Sequence, residues 1–96
     1  MAVMRRMQSV WIRPLEALAM AKDADVAGAE TLIATTPGDC YLCVRVRGQI
    51  ATAKHDWPTA ERWFDEAARQ APSLPFAFTE WGAERLTRGN ADGLGR

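Results

Sequence analysis

Slid along itself by 34 positions, the chain brings like residues onto like. Gly48 falls on Gly82, Val44 on Phe78, Lys54 on Arg88, Asp56 on Asn90 and Asp39 on Ser73. Residues suited to helix caps land on one another, and so do two small residues inside helix-length segments. A repeat of this length is one supersecondary unit that cannot bury its apolar face alone, so it must stack on a neighbour. At 96 residues there is room for one domain, or for a piece of a larger array. The 48% hydrophobic content excludes disorder by composition. A chain this short buries only about 60–65% of its unfolded surface, so its core is thin.

Glycine and proline divide the sequence into pieces of helical length. Breaks fall at Pro14, Asp23-Ala24-Asp25, Pro37-Gly38-Asp39, His55-Asp56-Trp57-Pro58, Pro72-Ser73-Leu74-Pro75 and Gly89-Asn90. Segment 58–71 is the clearest helix. Ala60, Trp63, Phe64, Ala67, Ala68 and Ala71 form one continuous apolar face, Asp56 is placed to cap the start, and Pro72 ends it. Arg62–Glu66 and Asp65–Arg69 pair opposite charges at i, i+4 on the wet face.

Segment 75–88 has Ser73 as cap, Pro75 in the first turn and Gly89 at the C′ position. Phe78, Trp81, Gly82, Arg85 and Leu86 line one side. Gly82 inside a helix costs about 1 kcal/mol against Ala, so its expected role is to admit a neighbouring helix at close range. Segment 40–54 reads two ways. Leu42, Val44 and Val46 alternate with Cys43, Arg45 and Arg47 as in a strand, while Asp39 and the run 49–54 favour a helix. In the N-terminal third, Val3, Met4, Met7, Val10 and Trp11 keep helical spacing up to Pro14. Two short helices follow, Leu15 to Ala21 and Val26 to Ala34, the second capped by Asp25.

The 34-residue period resembles that of the tetratricopeptide (TPR) family, a helix–turn–helix repeat. Residues 41–74 fit one unit: Gly48 stands at the family's small position in the first helix, and Ala60, Phe64, Ala67 and Pro72 at its Ala, aromatic, Ala and Pro positions. His55-Asp56-Trp57 is similar to its Gly-Asp-aromatic turn. Residues 75–90 resemble the first helix and turn of a following unit. Residues 15–37 look like a shortened earlier one, in which Ala29, Leu32 and Ile33 mirror Ala60, Trp63 and Phe64 at a spacing of 31. The chain departs from the pattern at Arg47, where Leu is usual, and at Ala51 and Arg85, where an aromatic is usual; arginine stems can lie along apolar surface with the head in water.

The resemblance implies an all-α fold, a short right-handed TPR-like solenoid of antiparallel helix pairs with about five helices. Its expected parts are a capping helix or arm over 1–14, a degenerate helix pair over 15–37, a TPR unit over 41–74, and an incomplete unit over 75–96. It also implies that 40–54 is helical. After Asn90 the family would supply a second helix, but two glycines in the last six residues make a poor one. The expectation is a fragment, a truncated product, or half of a self-associated assembly meeting through Phe78, Trp81 and Leu86.

The resemblance further implies a non-catalytic scaffold that binds a protein or peptide partner on its concave face. Arg45 and Gln49 occupy places similar to those from which some family members hold a peptide's terminal carboxylate. Thr79 and Ala83, the matching places one unit on, carry no charge, so a complete carboxylate clamp is not expected. Thr52 and Phe76 complete the predicted partner-binding set of Arg45, Gln49, Thr52, Phe76, Thr79 and Ala83. No cofactor or metal is expected.

Other chemistries find less support. Twelve basic residues balance twelve acidic ones, without the basic excess of a nucleic-acid binder. Trp57, Trp63, Phe64, Phe76, Phe78 and Trp81 could stack on bases, but their helical spacing reads as core, with Phe76 the exception that faces the groove. Cys40-x-x-Cys43 can be a pair of small apolar residues at a helix start, a redox or intersubunit metal site, or a disulfide. A lone histidine, His55, reads as a turn residue. No phosphate loop, carboxylate pair or nucleophile elbow marks an enzyme. The Arg-bearing stretch Met1 to Arg13 reads as a cap on the core rather than a membrane-surface helix. No apolar run reaches membrane-spanning length, and the start, Met1 to Arg6, has the basic end of a signal peptide but no apolar stretch behind it, so a cytoplasmic setting is expected. Ten Arg against two Lys, with abundant Ala, points to a GC-rich bacterial gene.

Overall fold

The computed structural model describes residues 11–91, which form five α-helices and, among them, no strand. They are α1 (Arg13–Lys22), α2 (Val26–Ile33), α3 (Tyr41–Ala53), α4 (Trp57–Gln70) and α5 (Phe76–Ala91). Segment 41–53 takes the helical reading. Most of the expected N-terminal arm and the glycine-rich stretch 92–96 lie outside the described residues.

Several ends differ from expectation. Pro14 does not close an N-terminal piece; it sits in the first turn of α1, where its missing N–H costs nothing. The cap of α3 is Cys40 rather than Asp39, and its Sγ accepts the Cys43 N–H at 3.1 Å. Asp25 caps α2 as expected, accepting the Gly28 N–H at 3.1 Å. Asp56 occupies the cap position of α4 but makes no side-chain cap bond. Helix α5 does not turn at Arg88-Gly89-Asn90 but continues to Ala91. The expected Arg62–Glu66 pair is also replaced. Glu66 is held by Arg69 and Gln70, and Arg62 lies over the Trp63 ring at 4.8 Å.

The α1–α2 and α3–α4 turns are the same turn, 31 residues apart. The N–H groups of Asp23, Ala24 and Asp25 donate to the carbonyls of Ala19, Ala21 and Met20; those of Lys54, His55 and Asp56 donate to Ile50, Thr52 and Ala51. Each turn places one residue in the left-handed region just past the helix end, Ala24 at φ 70° and His55 at φ 62°. That is the helix-terminating position usually given to glycine.

Packing is sequential. α1 meets α2 and α3, α2 meets α3, α3 meets α4 and α5, and α4 meets α5; among the described residues no helix packs on one more than two places along the chain. The first core joins Ala17 of α1 and Ala29 and Ile33 of α2 to Cys43, Val46 and Ile50 on one face of α3. The opposite face of α3 carries Val44, Gly48 and Ala51, and α4 covers it with Ala60, Phe64 and Ala67. Ala77 of α5 closes the second core against Val44 and Ala67. Among the described residues the twelve buried hydrophobic side chains are mostly Ala and Val, with Phe64 the one aromatic. That composition favours close helix approach over bulk.

Arg47 is not placed as the sequence reading expects. Its head does not stand in water. Nη2 donates to the carbonyls of Thr36 (2.8 Å) and Ile33 (3.3 Å), at the end of α2, while the guanidinium lies 4.9 Å from the Trp63 ring centre. Burial pushes its pKa below the usual value. The residue thus ties the first helix pair to the second.

Candidate functional site

Helices α3 and α5 bring the predicted residues to two cavities. Gln49, Thr52 and Ala83 line one of about 320 Å³, together with His55, Glu80 and Glu84. Arg45 and Phe76 line the other, of about 450 Å³, with Trp11, Cys40, Tyr41 and Leu74 among the rest of its walls. Thr79 lines neither; it is exposed, and its hydroxyl donates back to the Pro75 carbonyl at 3.1 Å.

Arg45 is not the free donor that a carboxylate-binding role would need. Its Nε donates to Glu80 Oε1 at 3.0 Å and its Nη2 to Glu80 Oε2, a two-pronged pair with both side chains about four-fifths buried. The same guanidinium lies 5.3 Å from the Tyr41 ring centre and 4.9 Å from that of Phe76. Its charge is neutralised and its faces are covered by rings. Thr52 is committed too, donating to the Gly48 carbonyl at 2.8 Å. Gln49 is the predicted residue that keeps an amide for a ligand at the smaller cavity.

Three acidic residues escaped the sequence reading. Glu80 of α5 pairs with Arg45 of α3, Glu84 of α5 is buried, and Glu61 of α4 meets Trp81 and Arg85 of α5. Glu84 is fully buried, and neither carboxylate oxygen has a hydrogen-bond partner while it is ionised. Burial pushes its carboxyl up to about 7, and the neighbouring Glu61 adds to the rise. Burial works against ionising Glu61 as well. Hydrogen bonds from Glu84, Trp81 and Arg85, with the Arg85 charge, outweigh it and hold Glu61 down at about 2. Trp81 Nε1 donates to Glu61 Oε2 and Arg85 Nη2 to Glu61 Oε1 at 3.3 Å. The two carboxyls are pushed in opposite directions, as neighbouring acids that resist ionising together, and Arg88 Nε lies 3.9 Å from Glu84 Oε2. The 34-residue shift carried the signal, because Glu84 stands where Ile50 is buried.

Comparison with protein-family models, with curated proteins and with solved structures finds no match to this chain. The site is therefore read from its own residues.

Cys40 and Cys43 are joined by a disulfide across 5.1 Å between their α-carbons. Cys43 is buried in the first core, and half-buried Cys40 forms part of the larger cavity's wall. Of the readings the sequence left open, the structure takes the disulfide. Among the described residues no three His, Cys, Asp or Glu side chains cluster as metal ligands. His55 holds the α3–α4 turn and stacks on Trp57 with ring centres 4.9 Å apart. No described helix is long and apolar enough to cross a membrane.

Proposed function

We propose that this chain is a short right-handed TPR-like solenoid that works as a non-catalytic protein-interaction scaffold. Its ligand is an extended or helical peptide segment of a partner protein. The observation that carries the reading is the succession of contacts. Among the described residues each helix touches the next, and of the helices two apart only the odd-numbered ones touch, so α1, α3 and α5 make one continuous inner surface. The two identical turns, 31 residues apart, support the same repeat.

Both cavities open beside α3, where this inner surface lies. The larger takes an apolar or aromatic anchor between Phe76, Tyr41 and Leu74. The smaller offers Gln49 and the exposed His55 to polar groups of the same partner. Packed helices hold these walls in place, so little ordering cost falls on the protein side. The fixed Arg45–Glu80 pair forms a rigid neutral wall rather than a carboxylate trap.

Selection of peptides from a displayed random library, followed by amide chemical-shift mapping, tests the reading. Selected peptides are expected to shift Gln49, Thr52 and Phe76 and to lose about tenfold or more in affinity with Phe76→Ala, the loss expected for a buried aromatic anchor. Shifts confined to α2 and the solvent side of α4, with affinity untouched by Phe76→Ala, would contradict it.

A further inference from the structure

A disulfide can hold a fold together or exchange with an incoming thiol, and the placement of the Cys40–Cys43 bond separates the two roles. A stapling bond ties segments that the chain would otherwise leave apart, and its effect grows with the loop it closes. This one spans a sequence separation of three and joins the cap residue of α3 to the first turn of the same helix. The backbone already holds that turn. The Cys43 N–H donates to Cys40 Sγ at 3.1 Å, and the Val44 N–H donates to the Cys40 carbonyl at 2.9 Å. The bond ties no second helix, so it adds little that the helix lacks.

The two cysteines also differ in access. Cys43 is fully buried in the first core with Ala29, Ile33 and Val46. Cys40 is half-buried and forms part of the wall of the cavity of about 450 Å³. Beside it stand Tyr41, Leu74 and Phe76, the last two 40% and 51% exposed. An incoming thiol meets Cys40, and an apolar residue next to that thiol has walls to rest on. When the bond opens, negative charge on Cys40 Sγ faces the Cys43 N–H at the N-terminal end of a 13-residue helix, a place that favours an anion.

We propose that Cys40 and Cys43 form a thiol–disulfide exchange site whose substrate is a polypeptide carrying a pair of thiols beside an apolar or aromatic residue. One thiolate of the substrate attacks Cys40 Sγ. The Cys40–Cys43 bond breaks, the Cys43 sulfur leaves with the electron pair and is protonated, and a mixed disulfide links the substrate to Cys40. The second substrate thiolate attacks the substrate's sulfur in that bond, and Cys40 leaves as the thiolate, to be protonated in turn. The substrate loses two electrons and two protons and becomes a disulfide; the chain takes them up as two thiols, once per chain. The inference shares the larger cavity with the scaffold reading but needs neither a solenoid nor an inner surface.

The test incubates the oxidised full chain with a synthetic peptide bearing two cysteines next to a phenylalanine, quenches with acid, and reads thiols and adducts by mass spectrometry. A control peptide carries serine in place of the phenylalanine. The phenylalanine peptide is expected to react at least about tenfold faster, and Phe76→Ala in the chain to narrow that ratio. The native chain is expected to react at least as fast as the same chain unfolded in urea, a comparison that needs no variant. With the peptide supplied as its disulfide, the Cys43→Ser chain is expected to accumulate a mixed disulfide at Cys40, because no second thiol in the chain resolves it. Three results overturn the proposal. They are protection of the native disulfide by about a hundredfold or more relative to the unfolded chain, attachment of the peptide to Cys43 rather than Cys40 in the oxidised chain, and equal rates for the two peptides.

Discussion

Phe64 lies over Gly48 so closely that an ideal Cβ at position 48 would stand 2.6 Å from Cε1 of the ring. Phe64 is itself fully buried, so it has no free direction in which to retreat. Gly48→Ala is therefore expected to cost about 1–3 kcal/mol, the usual range for overpacking a filled core. At the equivalent Gly82 there is open space, and Gly82→Ala is expected to add up to about 1 kcal/mol. Urea denaturation of the two variants checks the opposite signs.

The Glu61–Glu84 pair gives stability a maximum in acid. Glu84 is raised from 4.5 to about 7, so the native state holds a proton that the unfolded state releases between those values. Stability therefore falls as pH rises from 4.5 through 7. Glu61 is lowered from 4.5 to about 2, so here the unfolded state binds more protons. Stability rises as pH climbs from 2 to 4.5. Melting temperatures across pH 2–9 are expected to peak near 4.5. Glu84→Gln keeps a donor toward Glu61 and is expected to flatten the alkaline side.

How much of this was legible in the sequence depends on the kind of force involved. Helix α4 was readable because its apolar spacing, Pro58 and Pro72 are local signals, and its buried residues Ala60, Phe64 and Ala67 are those the spacing named. Helix α3 is ambiguous by alternation, and it is the resemblance to a helical repeat that favours the helix the structure forms. The Arg45–Glu80 pair spans 35 residues, and nothing local distinguishes a paired arginine from a solvated one. Arg47 likewise finds its carbonyl partners far along the chain, at Ile33 ending α2 and at Thr36 in the loop after it. The Cys40–Cys43 bond depends on the backbone at the helix start, which a spacing of three cannot fix alone.

Arg45 and Glu80 are a partly buried, two-pronged pair, not a surface contact. Arg45→Ala and Glu80→Ala are each expected to destabilise by about 1–3 kcal/mol. The double variant should lose less than the sum, with a coupling of about 1–2 kcal/mol. A double-mutant cycle in denaturant measures it, and a coupling near zero would make the pair incidental.

Reduction of the Cys40–Cys43 disulfide opens a very small loop, for which the chain-entropy estimate is about 2 kcal/mol. Thermal melts with and without a dithiol reductant are expected to differ by that amount, with the helical spectrum retained. Alkylation before and after reduction, read by mass spectrometry, is expected to add no label first and two labels afterwards.

The claim beneath the rest is that α5 docks on its predecessors in the register of α3. Methyl and aromatic nuclear Overhauser contacts in solution test it most directly. The account predicts contacts from the Ala77 methyl to Val44 and Ala67 and from the Gly48 α-protons to the Phe64 ring, with Phe78 and Leu86 showing none to the core. Strong contacts from Phe78 or Leu86 to Val44 or Phe64, with Ala77 turned to solvent, would contradict it.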